Sequence, residues 1–206
     1  MGKERIIKGT SYYKYQTSNS IYNLLVSNFK RMQRELLDGI YFTSVLEAGC
    51  GEGEVSNFIY CSYPIIDTFE AFDANPEVID LARKSFPEIN FKVESIYEQV
   101  YPENSFDLVV CCEVLEHLKD PKVALQSLFK VSRRYLLLSV PNEPLWRICN
   151  MFRGKYLRHL GNTPGHINHW SPRAFLDFTS NYGRVIKIKQ PIPWTMVLLE
   201  KHATII

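Results

Sequence analysis

Three stretches of this 206-residue chain carry side chains that could do chemistry, and the first, 45–53, reads Val-Leu-Glu-Ala-Gly-Cys-Gly-Glu-Gly. An apolar run there enters a turn in which Gly49, Gly51 and Gly53 alternate with Cys50 and Glu52, with Glu47 just before and Glu54 just after. Glycine alone lets a backbone take positive φ and approach a ligand at no steric cost. Twenty residues after Gly53, a second apolar run closes on Asp73, followed by Ala74 and Asn75. A glycine-rich first turn plus an acid ending the next strand is an arrangement that holds a nucleoside, with backbone at the turn and carboxylate on the ribose hydroxyls. A plain strand-to-helix turn would need one such glycine rather than three. The alternative for Asp73, capping the following helix, suits Asn75 better.

The charge around the turn selects among nucleosides. The dinucleotide fingerprint G-x-G-x-x-G would need glycine at position 54, which is Glu54. It also seats a pyrophosphate at a helix N-terminus, where Glu47, Glu52 and Glu54 would oppose a dianion. S-adenosyl-L-methionine brings an ammonium and a sulfonium to that place, so it is the cofactor that fits. Acids in a first helical turn also complement the helix dipole, so Glu54 by itself decides little. A nicotinamide-dependent oxidoreductase is the competing reading at this point.

The other two stretches are Phe106–His117, which ends Cys-Cys-Glu-Val-Leu-Glu-His, and His166-Ile167-Asn168-His169-Trp170-Ser171. The second holds two of the chain's five histidines within four positions. Imidazole, with a free pKa of about 6.5, can take a proton from a hydroxyl nucleophile. It can equally sit in a surface cluster or as a hydrogen-bonded core group.

Taken together, E-x-G-x-G-x-G at 47–53, Phe72-Asp73-Ala74-Asn75-Pro76, Phe106–His117 and Leu136-Leu137-Leu138-Ser139-Val140-Pro141-Asn142 resemble, in order and spacing, the motifs of class I S-adenosylmethionine-dependent methyltransferases. The resemblance implies an α/β, Rossmann-like fold: a seven-stranded, mostly parallel sheet with an antiparallel last strand and helices on both faces. It implies cofactor contacts at Glu47, Gly49, Cys50, Gly51, Glu52, Gly53, Asp73, Ala74 and Asn75. An adenine contact follows at Glu94, Ser95 and Ile96, although Ser95 stands where the family has an apolar residue. In the implied strand order the first and fourth strands flank the reversal, which puts Cys112, Glu113 and Val114 beside the transferred methyl. The candidate bases for a hydroxyl acceptor are His117, His166 and His169. Asn142 and Trp170 are candidates for the substrate side, and Tyr12, Tyr13 and Tyr15 for a lid.

If a helical turn starts at Glu113, then Glu113, Glu116 and His117 share one face, and with His166 or His169 they would make a mixed oxygen and nitrogen set for a divalent metal. Two metal-binding families resemble this pattern, the 3′-terminal 2′-O-methyltransferases of small RNAs and the O-methyltransferases of ubiquinone biosynthesis. In the RNA family the distant histidine comes four positions before a tryptophan, as His166 does before Trp170. The plainer reading is that E-x-L-E-H occurs widely in methyltransferases without a metal, and no metal is expected. The alternatives that stay open are a metal-dependent RNA 2′-O-methyltransferase and a non-catalytic S-adenosylmethionine-binding protein.

The elements that must position these residues follow from periodicity. Ile21, Leu24, Leu25, Phe29, Met32 and Leu36 recur at three- and four-residue steps, so 20–38 is an amphipathic helix stopped by Gly39. From Ser44 onward, strands at 44–49, 67–72, 90–94, 106–112 and 134–140 alternate with helices at 52–61, 76–85 and 121–131. Asn75-Pro76 and Asp120-Pro121 pair an N-cap with a first-turn proline. Such alternation means βαβ units and a parallel sheet buried on both faces. Residues 142–170, broken by Pro144, Gly154, Gly161, Pro164 and Gly165, read as an acceptor-side insertion, aromatic and basic. A helix at 172–181 and strands at 184–189 and 194–201 close the chain, and Pro191-Ile192-Pro193 between the strands is too short for a crossover, so the pair is antiparallel.

Composition suits one domain over 1–206, with an N-terminal helical lid at 1–40. A net charge of +2 makes no electrostatic case for nucleic acid, despite the local cluster Arg147, Arg153, Lys155, Arg158 and His159. No apolar run approaches the ~20 residues that span a bilayer, no signal peptide is expected, and five cysteines without C-x-x-C spacing point to a reducing cytoplasm. Cys111 and Cys112, neighbours on a strand, should face opposite ways. The expected acceptor is a small molecule, a saccharide or a lipid-like compound, and the sequence says nothing of oligomeric state.

Overall fold

The computed structural model of the protein describes residues 20–98 and 100–201. Tyr12, Tyr13 and Tyr15, and with them residues 1–19 of the expected 1–40 lid, lie outside those residues. The described chain runs α1 (Ser20–Leu37), β1 (Ser44–Ala48), α2 (Glu54–Ser62), β2 (Thr68–Asp73), α3 (Pro76–Ser85), β3 (Asn90–Val93), β4 (Phe106–Cys112), α4 (Pro121–Val131), β5 (Ser132–Pro141), α5 (Leu145–Phe152), α6 (Pro172–Thr179), β6 (Arg184–Lys189) and β7 (Trp194–Glu200). Single 3₁₀ turns lie at Leu115–His117 and Leu157–His159.

The seven strands form one sheet in the order β3-β2-β1-β4-β5-β7-β6. The pairs from β3 through β5 are parallel, and β7 runs antiparallel to both β5 and β6. The order reverses between β1 and β4, which pair through Val45 with Leu108 and Glu47 with Val110. This is the α/β sheet expected from the sequence, with the single reversed strand at the expected place.

Burial on both faces follows from alternation. Leu108, Val110 and Cys112 of β4 join a core with Phe29 and Leu36 of α1, Ile59 of α2 and Ile79 of α3. Val109 and Cys111 join the opposite core with Leu125 and Leu128 of α4 and Phe175 of α6. Adjacent cysteines therefore lie on opposite faces, and all five thiols are free. The caps also form as expected: Asn75 Oδ1 accepts from Glu77 N at 2.9 Å, Asp120 Oδ1 from Val123 N at 3.1 Å, and Ser171 Oγ from Ala174 N at 3.2 Å. Gly39, at φ 76°, lies just past the end of α1.

Two elements differ from expectation. The helix expected from residue 52 starts at Glu54, because Gly51 and Gly53 hold left-handed backbone at φ 53° and 84°. The 142–170 stretch contains α5, whose apolar Ile148, Met151 and Phe152 face solvent rather than core. Its apolar residues do recur at helical steps (Leu145, Ile148, Cys149 and Phe152), but Pro144 and Gly154 on either side mark the stretch as broken.

Candidate functional site

The glycine turn leaves β1 at the point where the strand order reverses. Gly49 N and Cys50 N both donate to Phe72 O, at 2.8 and 3.0 Å, which ties the turn to the end of β2. A Cβ on Gly49 would come within 2.4 Å of Val114 Cγ2, so only glycine lets the loop after β4 close against the turn. Gly51 is the opposite case, because a Cβ there would meet nothing within 4 Å. Its position faces open space.

Asp73 sits beside that space, partly buried at the end of β2. Its Oδ2 accepts from Gly51 N at 3.1 Å and its Oδ1 from Asn75 N at 2.9 Å. The carboxylate thus braces both turns with one lone pair of each oxygen, and a second pair on each remains to meet vicinal hydroxyls. Ala74 is exposed. Glu94 N donates to Asp73 O at 3.1 Å, which sets the end of β3 alongside. There Ser95 Oγ accepts from Tyr97 N, Ile96 is buried, and burial raises the Glu94 carboxyl above its usual range.

The three acids of the turn occupy three environments, which qualifies the charge argument made from sequence. Glu47 is buried and hydrogen-bonded to Ser56 Oγ of α2, and burial pushes its pKa up to about 8, with Asp73 adding to the rise. It is mainly protonated at neutral pH. Glu54 pairs with Lys30 of α1 at 3.6 Å, and Glu52 is buried. Burial also holds the Cys50 and Cys112 thiols far above the ordinary thiol range, so neither serves as a thiolate nucleophile. Gln33 Nε2 reaches Cys112 Sγ at 3.6 Å.

After β4 the chain does not enter a helix at Glu113, as the shared-face argument assumed. Glu113 takes φ 60°, its Oε1 accepts from Ser139 Oγ at 2.8 Å, and the 3₁₀ turn begins at Leu115. The left-handed residue turns Glu113 away from the group it was expected to join. The structure gathers Glu116, His117 and His166 instead, with one ligand atom from each within 4.8 Å of the others. Glu116 and His166 are buried, and the ring centroids of His117 and His166 lie 4.9 Å apart. His117 Nδ1 stands 3.0 Å from Gly165 O; a carbonyl can only accept, so Nδ1 carries a proton and donates.

His169 lies in a different cluster. Its Nδ1 is 3.6 Å from Glu143 Oε1, Arg147 Nε is 3.7 Å from Glu143 Oε2, and Arg147 Nη2 is 3.4 Å from His169 Nε2. Glu143 is buried. The sequence reading passed over it, since a lone acid after Pro141-Asn142 carries no pattern; its spacing of four from Arg147 was the available signal. Asn142 bridges to Trp170 and accepts from Trp146 N at 2.8 Å. The Trp170 ring packs on Phe175 and Phe178 at 5.8 and 5.6 Å, a core setting.

A family profile described as "Methyltransferase domain" matches residues 20–186. The chain belongs to that family. This methyltransferase domain is 32% identical over 101 residues to a probable S-adenosylmethionine-dependent methyltransferase of Mycobacterium tuberculosis, across 48% of this chain and 36% of that protein. It is 32% identical over 116 residues to the mitochondrial ubiquinone biosynthesis O-methyltransferase of Schizosaccharomyces pombe, across 52% of this chain and 41% of that one. These matches span less than half the length of either relative. Among solved structures it is similar to the magnesium protoporphyrin IX methyltransferase of Synechocystis PCC 6803 with bound SAH, with a TM-score of 0.68, 14% identity, and coverage of 94% of this chain and 95% of that one. At that identity the likeness speaks for the fold.

Proposed function

We propose that this methyltransferase domain binds S-adenosyl-L-methionine beyond the carboxyl ends of β1 to β4 and transfers its methyl group to a small-molecule, saccharide or lipid-like acceptor. The acceptor's lone pair attacks the methyl carbon in line, the carbon–sulfur bond breaks onto sulfur, and S-adenosyl-L-homocysteine leaves as a neutral thioether. A hydroxyl acceptor also loses a proton, and His117, His166 and His169 are the candidate bases. The sulfonium makes the methyl electrophilic, so the protein's task is orientation, worth up to ~7–11 kcal/mol in favourable cases. Asp73 takes the ribose diol, Gly49 to Gly53 the amino-acid end, Glu94 to Ile96 the adenine edge, and Cys112 to Val114 flank the methyl.

One observation carries this reading. At the β1–β4 reversal, Asp73 holds Gly51 so that its α-carbon faces open space beside a carboxylate. The methyltransferase family match and the S-adenosylmethionine named for the mycobacterial relative support it. Titration calorimetry is the test: S-adenosyl-L-homocysteine should bind and NADH should not, and Asp73→Ala should weaken that binding at least about tenfold, the loss of a charged hydrogen bond. NADH binding in its place would overturn the cofactor, and unchanged affinity in the variant would overturn the ribose role.

A second reading has its own observation. Two imidazoles and one carboxyl group at Glu116, His117 and His166 suit a first-row divalent ion, with Gly165 O beside Nδ1 of His117 in the manner of a partner that orients a ligand. Such an ion would polarise a hydroxyl acceptor. The likeness to an O-methyltransferase is consistent with an oxygen nucleophile. Manganese or zinc titration should then show one site that His166→Ala removes, and a chelator should abolish turnover; a flat titration ends this reading.

A further inference from the structure

The 142–170 segment carries a feature that methyl transfer does not use. Between Glu143 and Asp177 the chain has no acidic residue, while Arg147, Arg153, Lys155, Arg158 and Arg173 give that stretch a charge of +5. The whole chain is +2, so the remaining residues carry −3 and the positive charge is local. On the same segment Phe152 is 90% exposed, Leu160 71%, Leu157 58%, Ile148 39% and Met151 37%. A phenylalanine that open to water, grouped with four aliphatic neighbours, forms an apolar ridge rather than a scattering of single residues.

The ridge is held rigidly from behind. On the inner face of α5, Trp146 stacks on His166 at 5.7 Å and donates from Nε1 to Thr163 Oγ1 at 2.9 Å. Asn150 Nδ2 donates to Gly161 O at 2.9 Å and Thr163 Oγ1 at 3.1 Å. Gly161 N donates to Tyr156 O at 3.0 Å, and Gly161 packs so closely on Arg147 that a Cβ would reach its carbonyl oxygen at 2.2 Å. Trp146 also packs on Trp194 of β7 at 6.1 Å, which ties this inner face to the body of the domain and leaves the outer side chains in water.

We propose that the ridge from Ile148 to Leu160 is a docking surface for an anionic lipid bilayer. Apolar side chains flanked by cations on a short, fixed helix and turn match an interfacial anchor: Phe152, Leu157 and Leu160 enter the acyl boundary while Arg153, Lys155 and Arg158 meet lipid phosphates. A second copy of the chain is a poorer occupant, because a two-fold contact would press this basic patch against itself. The inference does not depend on the transfer reaction, since bilayer binding is measured without cofactor or acceptor.

The test is co-sedimentation of the full chain with vesicles of phosphatidylcholine alone and of phosphatidylcholine with about a third phosphatidylglycerol. The chain should pellet with the anionic vesicles, not with the zwitterionic ones, and more weakly as salt shortens the screening length. F152S/L160S and R153Q/K155Q/R158Q should each lower the partition coefficient at least tenfold while keeping the wild-type melting curve and S-adenosyl-L-homocysteine affinity. Absence of vesicle binding, equal binding to both vesicle types, or unchanged partition in either variant would overturn the proposal. So would a dimer in sedimentation equilibrium that F152S/L160S converts to monomer, which would assign the ridge to self-association.

Discussion

At the scale of single residues, Glu47 separates sequence from structure most sharply. As a letter in a motif it is an anion near a cationic ligand; in the fold it is a buried acid bonded to Ser56 and raised to about pH 8 by desolvation. The sign of its effect on stability follows from linkage. Between pH 4.5 and 8 the folded state keeps a proton that the unfolded chain has lost, so this contribution is greatest below pH 4.5, declines as pH rises to about 8, and is constant above. Glu47→Gln should therefore melt higher than wild type at pH 9 and nearly level with it at pH 4, as thermal scans across that range would reveal. Parallel curves for the two proteins would mean that Glu47 is ionised in the fold. Asp73 is the contrasting residue: its position at the end of an apolar run was enough to single it out, and its carboxylate ends β2 and accepts from Gly51 N and Asn75 N.

At the scale of elements, the residues after β4 are organised by a distant loop. Ile167 N and Asn168 N donate to Glu116 O at 2.9 and 3.0 Å, and Asn168 Nδ2 donates to Leu115 O at 3.1 Å and Leu118 O at 2.6 Å. Four bonds thus fasten the segment bearing His166 to the 3₁₀ turn bearing Glu116 and His117. Asn168→Ala removes two of them and takes from Leu118 O its side-chain donor, while Leu115 O keeps Leu118 N at 3.3 Å, a cost of about 1–3 kcal/mol. The variant should melt lower and be nicked faster by protease within 162–168, with S-adenosyl-L-homocysteine affinity close to wild type. Wild-type protection would show that the loop is held by other contacts. None of this latch is legible in the sequence, because Asn168 lies 53 and 50 residues from the carbonyls it meets and its neighbours carry no repeating pattern. For α5 the helical spacing of Leu145, Ile148, Cys149 and Phe152 is present in the sequence, but it lies between Pro144 and Gly154, and only the fold shows that its outer face stays in water.

At the scale of the whole molecule, the strand order reverses between β1 and β4, the place where open α/β sheets receive their ligands. A ligand that binds only the folded chain stabilises it by about 2.7 kcal/mol at a hundred times its Kd, which for a domain of this size is about 5–10 °C in Tm. S-adenosyl-L-homocysteine should raise the melting temperature by that amount, and Asp73→Ala should shrink the shift; no shift at saturating ligand would sink the reversal as its site. Sequence alone determined most of the elements, the parallel sheet and its antiparallel last pair, since period-two and period-3.6 burial, proline-led caps and a strand link too short for a crossover are local signals with one cheap solution each; the seven-strand order was what the family resemblance implied. It also determined the glycine turn and Asp73, because backbone freedom and strand-end position are read residue by residue. Tertiary structure alone decided which histidine joins Glu116, how Glu113 turns to Ser139, and that Glu47 is buried with its proton. Those outcomes depend on desolvation and on meetings between segments far apart in the chain, and neither is encoded in the spacing of neighbours.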